Sequence, residues 1–113
     1  MPKALAPTAS APALSADQIV ELAGMFHLMG DPTRLGIIMA CLEDEVSVGE
    51  LARRLGLSAS LTSHHLRLLR AARVLRGRRR GKQVFYGAAD DHIRAMLRGM
   101  IEHVGEVPAE GEG

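Results

Sequence analysis

Between Ser47 and Leu69 two helical patterns are separated by a single dipeptide, and that narrows the possible folds more than any other feature of the chain. Ser47-Val48-Gly49-Glu50 has the serine-to-glutamate spacing of a capping box and opens a short run through Leu51 and Leu55. Gly56-Leu57 breaks it, and Ser58 then caps a longer run in which Thr62, Leu66 and Leu69 form an inward stripe. Helix, glycine-containing turn and helix in this order is a helix-turn-helix.

The flanks supply what such a unit packs against. Ser15 caps a first helix carrying Ile19, Leu22, Ala23, Phe26 and Met29 at helical spacing, and Gly30 stops it. Asp31-Pro32 reads as an N-cap followed by proline at the first helical position, starting a second helix that runs to about Leu42 with Leu35, Ile38, Met39 and Leu42 on one face. After the helix-turn-helix, Val74-Leu75-Arg76 and Val84-Phe85-Tyr86 read as short strands around Gly77 to Lys82, a hairpin with a basic tip. A last helix runs from Asp90 to about Glu106, with Ile93, Met96, Leu97, Met100, Ile101 and Val104 on a broad apolar face. The expected fold is mainly α with a small β-hairpin: a winged helix-turn-helix over 15–106, between an Ala/Pro-rich arm at 1–14 and a Pro/Gly/Glu tail at 107–113, both expected to be disordered.

A chain of 113 residues suits one domain. With no Trp, one Tyr and two Phe, its core must come from aliphatic residues, and a small helical unit of that kind gains by pairing with a second copy. Dimerisation is therefore expected. The single Cys41 excludes an internal disulfide or a cysteine-rich metal site, and neither a signal segment nor a membrane span is apparent, so a cytoplasmic location is expected.

Net charge is only +1, yet from Leu51 to Lys82 there is no acid while ten of the fourteen basic residues fall there. Such a block is the footprint of a face that binds a polyanion. On a recognition helix the exposed N-terminal side chains meet base edges, which here nominates Ser60, Ser63 and His64, with Arg67 and Arg70 placed for phosphate or guanine. Arg78, Arg79, Arg80 and Lys82 suit a narrow groove and its phosphates. His65 is expected to pack.

The stretches Leu28-Met29-Gly30-Asp31-Pro32-Thr33-Arg34-Leu35 and Ser63-His64-His65-Leu66-Arg67-Leu68-Leu69, with the wing ending Val84-Phe85-Tyr86, resemble the ArsR/SmtB family of metal-responsive transcriptional repressors over about Leu22 to Glu106. The resemblance implies a homodimer through the first and last helices that binds operator DNA when metal-free. Ala59 stands where some relatives carry a DNA-contacting Gln, a departure at the start of the recognition helix.

The last helix bears Asp90-x-His92 and, ten residues on, His103-x-x-Glu106. His92 and His103 return to nearly the same face but stand about 16 Å apart along the axis, so one helix cannot close a site. Two antiparallel copies would bring Asp90 and His92 of one to His103 and Glu106 of the other, giving two symmetric sites. Two imidazoles and two carboxylates suit Zn(II), with Co(II) a surrogate and Ni(II) disfavoured. All four positions match the family's zinc-sensing branch. The family's thiolate site would need cysteines where Val46, Ser47 and Val48 stand. The resemblance further implies a relay in which the second ring nitrogen of His103 bonds a backbone carbonyl near Arg73. Neither Cys41 nor His27 is assigned a ligand role.

Two other readings remain at this point: a winged-helix repressor answering a non-metal signal, and a zinc hydrolase. The second is disfavoured because four ligands close a zinc site that catalysis needs open, and because the chain has no phosphate loop or nucleophile elbow.

Overall fold

The computed structural model describes residues 13–106, so the expectations for the N-terminal arm up to residue 12 and for the tail at 107–113 lie outside the described residues. The elements follow in the order α1 (Ala16–Met29), α2 (Pro32–Ala40), β1 (Val46–Ser47), α3 (Val48–Leu55), α4 (Ala59–Ala71), β2 (Leu75–Arg80), β3 (Gln83–Ala88) and α5 (Asp91–Gly105).

Every helix begins on the cap that its sequence offers. Ser15 accepts from the Gln18 amide while the Gln18 side chain accepts from the Ser15 amide, a complete capping box. Asp31 Oδ2 accepts from the Arg34 amide at 3.0 Å with Pro32 in the first helical position. Ser58 and Asp90 cap α4 and α5 in the same way. At Ser47 the box is half made. Its hydroxyl accepts from the Glu50 amide, but the Glu50 carboxylate turns away to Arg53 and Arg54, whose charge-assisted bonds outcompete a backbone amide.

The core is aliphatic and sits where α2, α3, α4 and the sheet meet. Ile37, Ile38, Leu51, Leu66, Leu69 and Val74 are fully buried, with Cys41 among them donating its thiol to the Ile37 carbonyl. Thr62 is buried too and spends its hydroxyl on the Ser58 carbonyl at 2.8 Å. The second helix ends at Ala40, two residues short of expectation, and buries Ile37 beside Ile38 while Met39 points outward. Arg34 ties α1 to α2 by donating from Nε to the Leu28 carbonyl at 2.7 Å.

The hairpin is longer than the sequence suggests. β2 pairs with β3 from Leu75↔Ala88 to Arg80↔Gln83, so Arg78, Arg79 and Arg80 lie within the strand and only Gly81-Lys82 forms the turn, with Gly81 at φ +63°. A third strand, β1, joins β3 on its other edge through Val46↔Tyr86 and Ser47↔Phe85, giving the antiparallel order β1-β3-β2. That short strand roots the wing in the body of the domain.

Candidate nucleic-acid interface and metal-ligand helix

Strand pairing divides the wing's side chains between two faces. Gly77, Arg79, Val84 and Tyr86 share the face that carries the core, and Val84 closes against Gly77 and Tyr86 there. Ser63 of α4, Lys82, Gln83 and Val84 line a shared cleft of about 310 Å³ together with Ser47, Val48 and Gly49, so this is the face turned to the recognition helix. Arg76, Arg78 and Arg80 alternate onto the other face with Phe85 and Gly87.

On α4, Ser60, His64, Arg67 and Arg70 are exposed and Ser63 is half-buried in the cleft. Among the described residues no acid pairs with Arg67, Arg70, Arg79 or Lys82, so their charge is available. The other basic residues of the acid-free segment, Arg80 apart, have found acids elsewhere in the chain. Arg53 and Arg54 hold Glu50, whose carboxyl they pull down to about 2. Arg73 pairs with Glu21 of α1, and Arg78 forks onto Glu45 with its shortest contact at 2.6 Å. Arg80 lies over the Phe85 ring, 4.7 Å from its centre.

Arg73 follows α4 at φ +63°, a left-handed conformation uncommon outside glycine, and its amide donates to the Arg70 carbonyl. His65 packs as expected, but its Nδ1 is buried with no hydrogen-bond partner among the described residues. Burial and the neighbouring Arg34 hold its pKa below the ordinary imidazole value.

At the start of α5, Asp90 divides its two oxygens. Oδ1 accepts from the Ile93 amide at 3.0 Å, and Oδ2 stands 3.6 Å from Nδ1 of the exposed His92. The amide bond, chiefly, lowers the Asp90 pKa, so the carboxylate is ionised and ready to donate. His103 and Glu106 lie at the far end of the same helix, both exposed. Among the described residues no group of three or more His, Cys, Asp or Glu gathers within one chain, and no hydrogen bond joins His103 to Arg73. One chain thus brings Asp90 to His92 and leaves His103 and Glu106 apart from them. His27 is exposed on α1.

Residues 31–76 match the model of the bacterial regulatory protein, arsR family. The transcriptional repressor SmtB homolog of Synechocystis sp. is 37% identical over 93 residues, which is 82% of this chain and 70% of that protein. The chain belongs to the arsR family. A cadmium resistance transcriptional regulatory protein CadC homolog from Staphylococcus aureus is 32% identical over 81% of this chain and 77% of that one. The crystal structure of NolR from Sinorhizobium fredii superposes with a TM-score of 0.71 at 31% identity, covering 86% of this chain and all of that one. As an arsR-family protein with a winged helix-turn-helix, the chain is a DNA-binding transcription regulator and not an enzyme. No helix among the described residues is long and apolar enough to cross a membrane.

The sequence alone did not point to Glu45 or Glu43. Their acids are visible immediately before Val46, but their partners Arg78 and Arg98 lie 33 and 55 residues away and no local spacing links them.

Proposed function

We propose that this arsR-family chain is a homodimeric, metal-released repressor whose metal-free form binds operator DNA and whose affinity falls when Zn(II), or Co(II) in its place, binds between the two α5 helices. The observation that carries it is the layout of α5. Two ligand pairs, Asp90 with His92 and His103 with Glu106, stand at opposite ends of a helix whose middle exposes Met100 and Ile101. That layout is idle in one chain and complete in two. Exposed apolar residues on α1, Ile19, Leu22 and Phe26, extend the surface available for pairing.

The donors fit the ion: two imidazole nitrogens and two carboxylates make a closed four-coordinate set for Zn(II), while soft ions would want thiolates that the one buried cysteine does not supply. When bound, the metal supplies a cross-link between the two helices. The DNA surface is then Ser60, Ser63, His64, Arg67 and Arg70 of α4 toward the bases and phosphates, with the wing's Arg79 and Lys82 beside it. Release follows from linkage: a metal that binds the free dimer better than the DNA-bound one weakens DNA binding by the same factor, typically about 1–3 kcal/mol. The second ring nitrogen of His103, bonded to a backbone carbonyl near Arg73, is the candidate relay to the end of α4.

Fluorescence anisotropy on the protein's own upstream DNA, at fixed salt, tests this. Zn(II) should release the DNA and a chelator should restore binding. His103→Ala should bind DNA as the wild type does and ignore Zn(II). Tight DNA binding indifferent to Zn(II) in the wild type would discard the metal and favour another signal, and full release of His103→Ala by Zn(II) would discard the relay.

A further inference from the structure

The loop between α2 and β1 is gripped from two sides. From α5, Arg94 donates through Nε to the Leu42 carbonyl at 3.1 Å and Arg98 forks onto Glu43. From the wing, Arg78 donates to both oxygens of Glu45 at 2.6–3.2 Å, and Arg76 approaches the same carboxylate at 3.8 Å.

Glu45 is built into this position. Its side chain is only 16% exposed. Its Cγ lies against Gly87 of β3, where an added Cβ would come within 3.2 Å of it, so the absence of a side chain at residue 87 makes the room. Arg78 and Arg76 share the sheet face with Gly87 and Phe85, opposite the face shared by Arg79 and Val84, of which Val84 lines the cleft with Ser63 of the recognition helix. Planar guanidinium on planar carboxylate is the geometry that guanidinium also makes with phosphate, so Arg78 spends on Glu45 the donors it would otherwise offer a phosphate.

We propose that Glu45 is an internal counter-ion that withholds Arg78 from the DNA backbone, so that Arg78 is a positioning residue joining the wing to the α5-gripped loop, while Arg79 and Lys82 make the wing's phosphate contacts. Of the wing's cations, those on the recognition-helix side contribute to the salt dependence of binding and the one held by Glu45 does not. The proposal rests on the DNA surface assigned above and is independent of metal release.

The test is the salt dependence of operator binding by the full-length, metal-free protein. Each lost phosphate contact lowers the magnitude of the slope of log K against log salt by about 0.9. The dimer carries two copies of each residue, so Arg79→Ala should lower the slope by about 1.8, and Arg78→Ala should leave it at its wild-type value. Glu45→Gln, which frees Arg78 in both subunits, should steepen the slope by about 1.8; damage to the fold cannot mimic such a gain, so this variant guards against a collapsed wing in Arg78→Ala. A slope lowered by Arg78→Ala as much as by Arg79→Ala, or left unchanged by Glu45→Gln, overturns the proposal and leaves the rest of the DNA surface standing. Wild-type binding with no salt slope overturns that surface and this proposal together.

Discussion

His65 is the residue whose environment disagrees most with its chemistry. Its Nδ1 is buried with no partner among the described residues, and the charged and titratable groups around it are Asp31 and Arg34 at the start of α2 and His64 on its own helix. Burial is the leading cause of its lowered pKa, Arg34 adds to it, and Asp31 opposes. The folded protein therefore favours the neutral ring, and below the unfolded value of 6.5 the unfolded chain binds more protons than the folded one. This contribution to stability is intact above that value and is lost as pH falls from it. The lowered carboxylates Asp31, Glu43, Glu45, Glu50 and Asp90 start from unfolded values of 3.8 to 4.5, so their losses begin at lower pH. Urea midpoints should consequently drop as pH falls below about 6.5 in the wild type and drop less in His65→Leu, which also removes a buried ring nitrogen with no partner among the described residues. Equal drops in both would show that His65 does not carry the acid sensitivity.

At the scale of elements, the turn between α3 and α4 depends on one backbone conformation. Gly56 caps α3 at φ +67° with no atom within 4 Å of where a Cβ would stand, so a side chain there meets conformational strain and no clash. Gly56→Ala should cost about 1 kcal/mol, whereas Gly49→Ala in the first turn of α3, equally uncrowded and at an ordinary helical φ, should gain about 0.5–1 kcal/mol. Opposite shifts in the urea midpoint are the check, and shifts of the same sign would mean that packing, not backbone freedom, governs this turn. The same locality explains what could be read beforehand. Caps at Ser15, Asp31, Ser47, Ser58 and Asp90 declare themselves within four residues, and all five helices start there. β1 does not, because two residues carry no period and exist as a strand only through Phe85 and Tyr86, nearly forty positions on. Gly77-Arg-Arg-Arg has the composition of a loop, yet its backbone is held in the ladder by β3. Of the candidate site, the exposed arginines of α4 and the placing of Asp90, His92, His103 and Glu106 at the two ends of α5 followed from spacing, but Glu21, Glu43 and Glu45, which hold Arg73, Arg98 and Arg78, are tertiary facts.

For the whole molecule the decisive quantity is how much apolar surface one chain leaves uncovered. Phe26 and Met100 are each 53% exposed, and Leu35, Met39, Leu97, Met100, Ile101 and Val104 line an almost wholly apolar groove of about 210 Å³ between α2 and α5. A monomer would hold these side chains in water at roughly 25 cal/mol for each Å² that pairing could bury. Both the DNA reading and the metal reading need that surface covered by a second copy. Two recognition helices reach successive major grooves only if the dimer fixes their separation, and Asp90 with His92 meets His103 with Glu106 only across chains. Ile101→Asp sits in the groove, away from α4 and the wing, so it tests pairing without touching the DNA surface. Sedimentation should show the wild type as a dimer and the variant as a folded monomer with the same helical circular dichroism. Operator affinity should fall by at least tenfold because the second half-site no longer binds as part of the same molecule. Tight Zn(II) binding should fall with it. A monomeric variant that kept full operator affinity would uncouple DNA reading from pairing, and one that kept tight Zn(II) binding would place the metal within a single chain.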